Sequence, residues 1–252
     1  MLNFLRKLRR PPAGGRKEMQ STKYLKYALG EIFLVVIGIL IALSINNLNT
    51  GRQQQKELLG YLEKIARNME QDLALAEEYL IKRDSSQQMC IQALNTLKKG
   101  EVDMMVFAAT SSVFVEFYFI ANKSGFEALK ASGYIGKLKN EKLDSLLNQY
   151  YFTMTQLEQE ETSYNNFIES MEAQWMGNYS ITALLEGFDI TTGQIVDFEA
   201  FNNAILKNKD KILTEPVEAV VLRGATELAP QGFYRQLIAT GGAFIEEVER
   251  MK

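Results

Sequence analysis

Histidine is absent and Cys90 is the single cysteine, so the carboxylates are the first side chains to read for chemistry. Zinc clusters, haem attachment through paired cysteines, cysteine–histidine nucleophiles, serine–histidine triads and any intrachain disulfide are excluded on that ground. Cys90 reads as a small apolar core residue, with an interchain disulfide or a reactive thiol as the other readings. Neighbouring carboxylates are the usual material of acid–base catalysis, and they gather at Glu77 and Glu78, at Glu158, Glu160 and Glu161, and at Glu246, Glu247 and Glu249. Helical spacing, however, is expected to turn each group toward solvent. Gly241-Gly242 has neither the lysine nor the strand context of a phosphate loop. No catalytic, cofactor-binding or metal-ligating residue is therefore assigned, and no enzyme is expected. Glu31 stands apart from the other acids, since it lies inside an apolar run.

That run, Glu-Ile-Phe-Leu-Val-Val-Ile-Gly-Ile-Leu-Ile-Ala-Leu-Ser-Ile from Glu31, predicts one membrane-spanning helix over residues 27–45. About 19 residues rising about 1.5 Å each come close to the roughly 30 Å of a bilayer's hydrocarbon core. Tyr24 and Tyr27 fall at headgroup level, and Asn46, Asn47 and Asn49 return the chain to water. Charge is sorted across the run. Eight basic residues and Glu18 precede it, a charge of +7, whereas the residues beyond it carry 20 basic and 29 acidic side chains, a charge of −9. The positive-inside rule makes residues 1–26 a basic cytoplasmic N-terminus and residues 46–252 an exported, periplasmic domain. A cleaved signal peptide fits less well, because the β-branched run is not followed by small cleavage-site residues. The N-terminal basic charge suits orientation and anionic lipid better than nucleic acid, which is not expected as a partner. Pro11, Pro12, Gly14 and Gly15 are expected to make the front flexible. Within the span, Gly38 and Ala42 share a face on which small side chains permit close helix association, though both residues are also common in spans generally. Near its edge, Glu31 can reach headgroups or pair with Lys23 or Lys26.

The elements beyond the anchor are mainly α. Leu58, Leu62, Ile65, Met69, Leu73, Ala76 and Leu80 make an amphipathic stripe that meets Arg83, Asp84 and Gln87 and resumes at Ile91, Leu94 and Leu97. One long helix, or one broken near Ser85, is expected there. Leu143, Leu147, Tyr150, Met154, Leu157, Glu161, Tyr164, Ile168, Met171 and Trp175 alternate steps of four and three, the period of coiled-coil-like packing, with Glu161 the only interruption. An antiparallel pair or a bundle would bury both stripes. A helix is expected over residues 101–109, an extended stretch over 113–120, a short helix over 124–131 closed by Gly133, and a loop holding a small hairpin over 177–197. Asp197 is placed to cap a helix over 198–207. Pro216 and Pro230 suit the first turns of two last helices, the second burying Phe233, Leu237, Thr240, Phe244, Val248 and Met251. Gly241 and Gly242 either weaken that helix or let it approach a neighbour. Phe114, Phe117, Tyr118, Phe119 and Trp175 read as aromatic core, with a ligand pocket as the alternative.

The run from Lys23 to Asn47, with its tyrosines, Gly-Glu-Ile, Gly-Ile-Leu-Ile-Ala-Leu and Ile-Asn, resembles the opening of a family of bacterial single-pass proteins known only as a domain of unknown function. Ser124-Gly-Phe-Glu-Ala-Leu-Lys-Ala-Ser-Gly133, Lys139 to Leu143 and Tyr150-Tyr151 extend the likeness, so that it covers about residues 20–155. Leu48 departs from it, standing where a tryptophan is usual. The resemblance implies a Gram-negative inner-membrane protein with an exported helical domain, and it supplies no catalytic residues.

Three classes of function follow. The first is a noncatalytic, membrane-tethered scaffold that binds another envelope protein or forms a homo-oligomer. The second is an exported ligand sensor, for which 26 cytoplasmic residues leave no room for a signalling domain. The third is an ion-coupled or channel subunit built around Glu31.

Overall fold

The computed structural model describes residues 17–252, with side chains from Ala28 onward. The Pro11–Gly15 stretch and the side chains of Lys23, Tyr24, Lys26 and Tyr27 lie outside the described residues. Helices dominate, and the chain divides into two units, one up to Glu57 and one from Leu58 to Lys252.

Helix α1 runs from Lys17 to Leu97 and contributes to both units. In the first unit its apolar stretch is long and apolar enough to cross a membrane by length and composition. Within that unit Leu29, Ile32, Phe33, Leu34, Ile39, Leu40 and Ile41 are all exposed. Ser44 turns its hydroxyl inward, donating to the carbonyl of Leu40 at 2.8 Å, so that it is bonded within its own helix.

The second unit packs the rest of α1 with α2 (Met104–Val113), α3 (Ser124–Ala131), α4 (Glu141–Asn178), α5 (Phe198–Lys207), α6 (Lys209–Ile212), α7 (Glu215–Thr226) and α8 (Ala229–Glu249). A two-stranded antiparallel hairpin, β1 (Phe188–Asp189) and β2 (Gln194–Ile195), occupies the expected loop. Several expected boundaries coincide with physical stops. Asp197 accepts from the N–H of Ala200 at 3.0 Å and starts α5. Gly133, at φ +71°, ends the α3 turn in the left-handed region that glycine enters without cost. Pro216 and Pro230 occupy first turns. Helix α2 begins later than expected because Asp103 caps it, accepting from Val106 N–H at 2.9 Å.

Two hydrophobic cores lie end to end along α1 and α4. One gathers Leu62, Ile65 and Met69 with Leu129, Leu143, Leu147, Leu237 and Phe244; the other gathers Cys90, Ala93 and Val106 with Ile168, Phe201, Val217 and Val221. Both long helices pass from the first core to the second, so they run parallel, which corrects the antiparallel pair. The reason lies in the connection: residues 98–140 travel back from the second core to the first before α4 begins. Helix α8 is the antiparallel partner, since Tyr234 meets Glu161 near one end of it and Glu247 meets Lys142 near the other.

The buried face of α1 also differs from the expected stripe. It follows an unbroken four–three spacing through Leu58, Leu62, Ile65, Met69, Asp72, Ala76, Tyr79, Arg83, Ser86, Cys90, Ala93 and Leu97, all buried or half-buried. Ile91 is instead exposed, and there is no break near Ser85. On α8, Tyr234 is fully buried beside the expected Phe233, which is half-buried against the same core, and Met251 is exposed beyond the end of the helix.

Candidate functional site

The polar residues that fall on these helix faces converge on one segment. The extended stretch was expected over 113–120; residues 114–123, between α2 and α3, form no strand, and they bury Phe117, Phe119 and Ala121 while exposing Val115, Tyr118 and Ile120. Where this backbone turns toward the helices without a sheet partner, it needs its hydrogen bonds from elsewhere. Side chains of α1 and α4 supply them. Glu161 accepts from the N–H of Phe119 at 2.7 Å, Asp72 accepts from the N–H of Asn122 at 3.0 Å, Asn165 donates to the carbonyl of Phe117 at 2.8 Å, and Asn68 donates to the carbonyl of Asn122 at 3.1 Å. Asn122 and Ser124, which match a glycosylation pattern in the sequence, are engaged here too: Asn122 Oδ1 accepts from the backbone N–H of Ser124 at 3.1 Å, and Asn68 donates to Ser124 Oγ at 3.0 Å.

Each carboxylate has further partners. Asp72 accepts from the Tyr150 hydroxyl at 3.1 Å, and Glu161 accepts from the Tyr234 hydroxyl and from Arg83 at 3.5 Å. The Arg83 guanidinium lies between two aromatic rings, 4.8 Å from the centroid of Phe117 and 4.9 Å from that of Tyr164. Glu161 is only 2% exposed, which overturns the expectation of a solvated face for that acid. Glu77, Glu78, Glu246 and Glu249 are exposed as expected.

The electrostatics oppose easy ionisation. Burial pushes Glu161 upward, against the hydrogen bonds from Tyr234 and Phe119 and the charge of Arg83. Burial likewise raises Asp72. The hydroxyls of Tyr150 and Tyr234 are pushed well up by burial and then by the neighbouring Asp72 and Glu161 respectively. Burial raises the Cys90 thiol to about 11, so it is protonated near neutrality and lacks the thiolate that a nucleophile needs. Cys90 is wholly buried, in line with its reading as a core residue. Phe117, Phe119 and Trp175 are also core, Phe114 stacks on Trp175, and Tyr118 is about half exposed. These five aromatics do not line a common pocket.

Among the described residues no group of three or more acidic or cysteine side chains is placed to hold a metal ion. Glu31, Gly38 and Ala42 are all exposed within the first unit, and a side chain added at Gly38 would meet nothing. Asp72, Arg83, Asn68, Asn165 and Tyr234 escaped the sequence reading. The signal that finds Asp72 and Arg83 is their phase, since both fall on the four–three positions of the buried face.

The model of a family of unknown function, DUF6090, matches residues 31–176. The match takes in the apolar stretch and Asn68, Asp72, Arg83, Asn122, Glu161 and Asn165, and it leaves out residues 23–30 of the N-terminal signature as well as α8. No curated protein and no solved structure matches the chain.

Proposed function

We propose that this chain, which belongs to the DUF6090 family of unknown function, is a membrane-anchored, noncatalytic helical module of the cell envelope that binds an envelope protein or further copies of itself. The observation that carries the reading is the use to which the interior polar groups are put. Asp72 and Glu161 are the buried acids with the partners and perturbed environment that elsewhere mark catalytic groups. Both spend their lone pairs on backbone N–H groups and tyrosine hydroxyls that hold one segment of the chain. That is a scaffold's use of a carboxylate. The apolar helix supplies an anchor, and the charge sorting across it supports an N-terminus in the cytoplasm with the helical unit exported.

Fusions at Lys252 test the placement. An alkaline phosphatase fused there is expected to be active, and a reporter that fluoresces only in the cytoplasm is expected to be dark. A bright cytoplasmic reporter would reverse the orientation and remove the envelope from the proposal.

A further inference from the structure

The stretch Val115-Glu-Phe-Tyr-Phe-Ile-Ala-Asn122 has the composition of a β-strand but no strand beside it. From Glu116 to Asn122 its residues alternate between exposed and buried, the period of an extended chain lying on a surface. Tyr118 is 48% exposed and Ile120 80%. Phe117 and Phe119 turn backbone groups to α4, where the Phe117 carbonyl meets Asn165 and the Phe119 N–H meets Glu161. Alternate residues of an extended chain direct theirs to the opposite edge. The backbone N–H and C=O groups of Tyr118 and Ile120 have no hydrogen-bond partner among the described residues. Proteins commonly guard such an edge with lysine or proline, and this stretch contains neither.

Charge beside the stretch is of one sign. The Tyr118 hydroxyl donates to Glu169 at 3.2 Å, and burial followed by the charges of Glu116 and Glu169 pushes the Glu172 carboxyl up. None of these three acids forms an ion pair with a lysine or arginine among the described residues, so their repulsion is not offset within the chain. We propose that residues 116–120 are a docking strand for an extended basic segment of a partner protein, which adds alongside through the backbone of Tyr118 and Ile120. The proposal rests on the reading of the chain as a module that binds an envelope protein. In this mode backbone hydrogen bonds supply affinity and alternate side chains supply specificity. A lysine or arginine of the segment is drawn to Glu116, Glu169 and Glu172, and an apolar residue covers Ile120. A second copy of the chain fits less well, because it would bring another three uncompensated acids to the same interface.

The test uses the full-length chain in detergent and the labelled peptide Lys-Val-Lys-Val-Lys-Val-Lys, with a twin of equal charge whose backbone amides are all N-methylated. Fluorescence anisotropy at physiological salt is expected to show binding of the plain peptide and a loss of about tenfold for the twin, which cannot donate backbone hydrogen bonds. Ile120→Pro removes one backbone donor while suiting an extended chain, and Glu116→Lys reverses an exposed charge; each is expected to weaken binding by about tenfold. Equal binding of the two peptides would reduce the surface to a patch of charge, and unchanged binding in Glu116→Lys would place the peptide elsewhere. A cross-link to a second copy from a photoreactive amino acid in place of Ile120 would make the stretch a self-association surface. Each of these three results overturns the proposal, and Glu116→Lys decides it even if Ile120→Pro does not fold. A native protein complex that survives Glu116→Lys unchanged would also overturn it while leaving the module reading standing, whereas a chain that binds the peptide as expected yet forms no native complex would count against the module reading alone.

Discussion

Arg83 and Glu161 are 78 residues apart in the chain and meet in the interior, and Asp72 and Tyr150, about three turns earlier on the same two helices, are also 78 apart. Equal offsets at two points define a parallel pair in a single register. Sliding one helix by a turn would separate both pairs and strand Asp72, Glu161 and Arg83 without partners. Buried polar residues commonly hold register in this way at some cost to stability.

The Arg83–Glu161 contact is expected to be strongly coupled. Arg83→Met leaves a buried acid without its cation, and Glu161→Gln leaves a buried cation without its anion; each is expected to lower stability by about 3 kcal/mol. The double variant buries no charge, and its amide can offer the oxygen to Phe119 N–H and an N–H to the Tyr234 hydroxyl oxygen. It should therefore recover about 2 kcal/mol relative to the sum of the single losses. Denaturant unfolding of the full chain in detergent measures this, and strict additivity would show that the pair sets no register.

The pH dependence of stability follows from the raised acids. Burial lifts Asp72 above its unfolded value near 3.8, so the folded state holds the proton over a range in which the unfolded state has released it. Stability from this group is complete below the unfolded value and is lost as pH rises through the folded one. Asp72→Asn removes the dependence while keeping an acceptor for Asn122 N–H. The difference in Tm between variant and wild type should move in the variant's favour as pH goes from about 4 to 7. A difference that moves the other way would mean that the hydrogen bonds, not burial, dominate Asp72.

Two glycines are expected to respond oppositely to alanine. A β-carbon at Gly125 would lie 3.0 Å from the backbone nitrogen of Ile65, which cannot rotate aside, so Gly125→Ala should cost about 1–3 kcal/mol by forcing α3 off α1. A β-carbon at Gly242 meets nothing, and in the middle of α8 Gly242→Ala should add up to about 1 kcal/mol. Thermal unfolding of the two variants side by side checks both signs.

The anchor gives its own test. Gly38→Ile is expected to weaken association of the isolated apolar segment in a membrane two-hybrid assay, because a large side chain keeps helix backbones apart. Glu31→Gln is expected to insert normally. Unchanged association in Gly38→Ile would assign any oligomer to the helical unit.

The sequence showed the helices more clearly than their arrangement. Caps and stops such as Asp197, Gly133, Pro216 and Pro230 act locally, so they could be read one at a time. The direction of α4 relative to α1 depends on where residues 98–140 travel, and no local pattern encodes that route. The interior polar groups were hidden for a related reason. Asp72 and Arg83 fall on the buried phase of α1, but a charged residue on an apolar stripe reads as a gap until its partners are known, and those partners lie some 50 to 80 residues away at Asn122, Tyr150 and Glu161. Reading past the gap put Leu73, which is half-buried at the edge of the core, in place of Asp72, and the exposed Ile91 in place of Cys90. Glu161 stands out in the sequence as an interruption of its stripe, yet only the segment it holds explains why it is there.

The central claim, that the chain is a noncatalytic module whose work is to hold other protein, is tested most directly by native mass spectrometry of the full-length chain released from its own membrane in mild detergent. The expected result is a protein complex of fixed stoichiometry, either with one envelope protein or with copies of this chain, that persists in Glu31→Gln. A monomer carrying a bound small molecule, or a preparation whose reconstituted vesicles pass ions and cease to do so in Glu31→Gln, would contradict it.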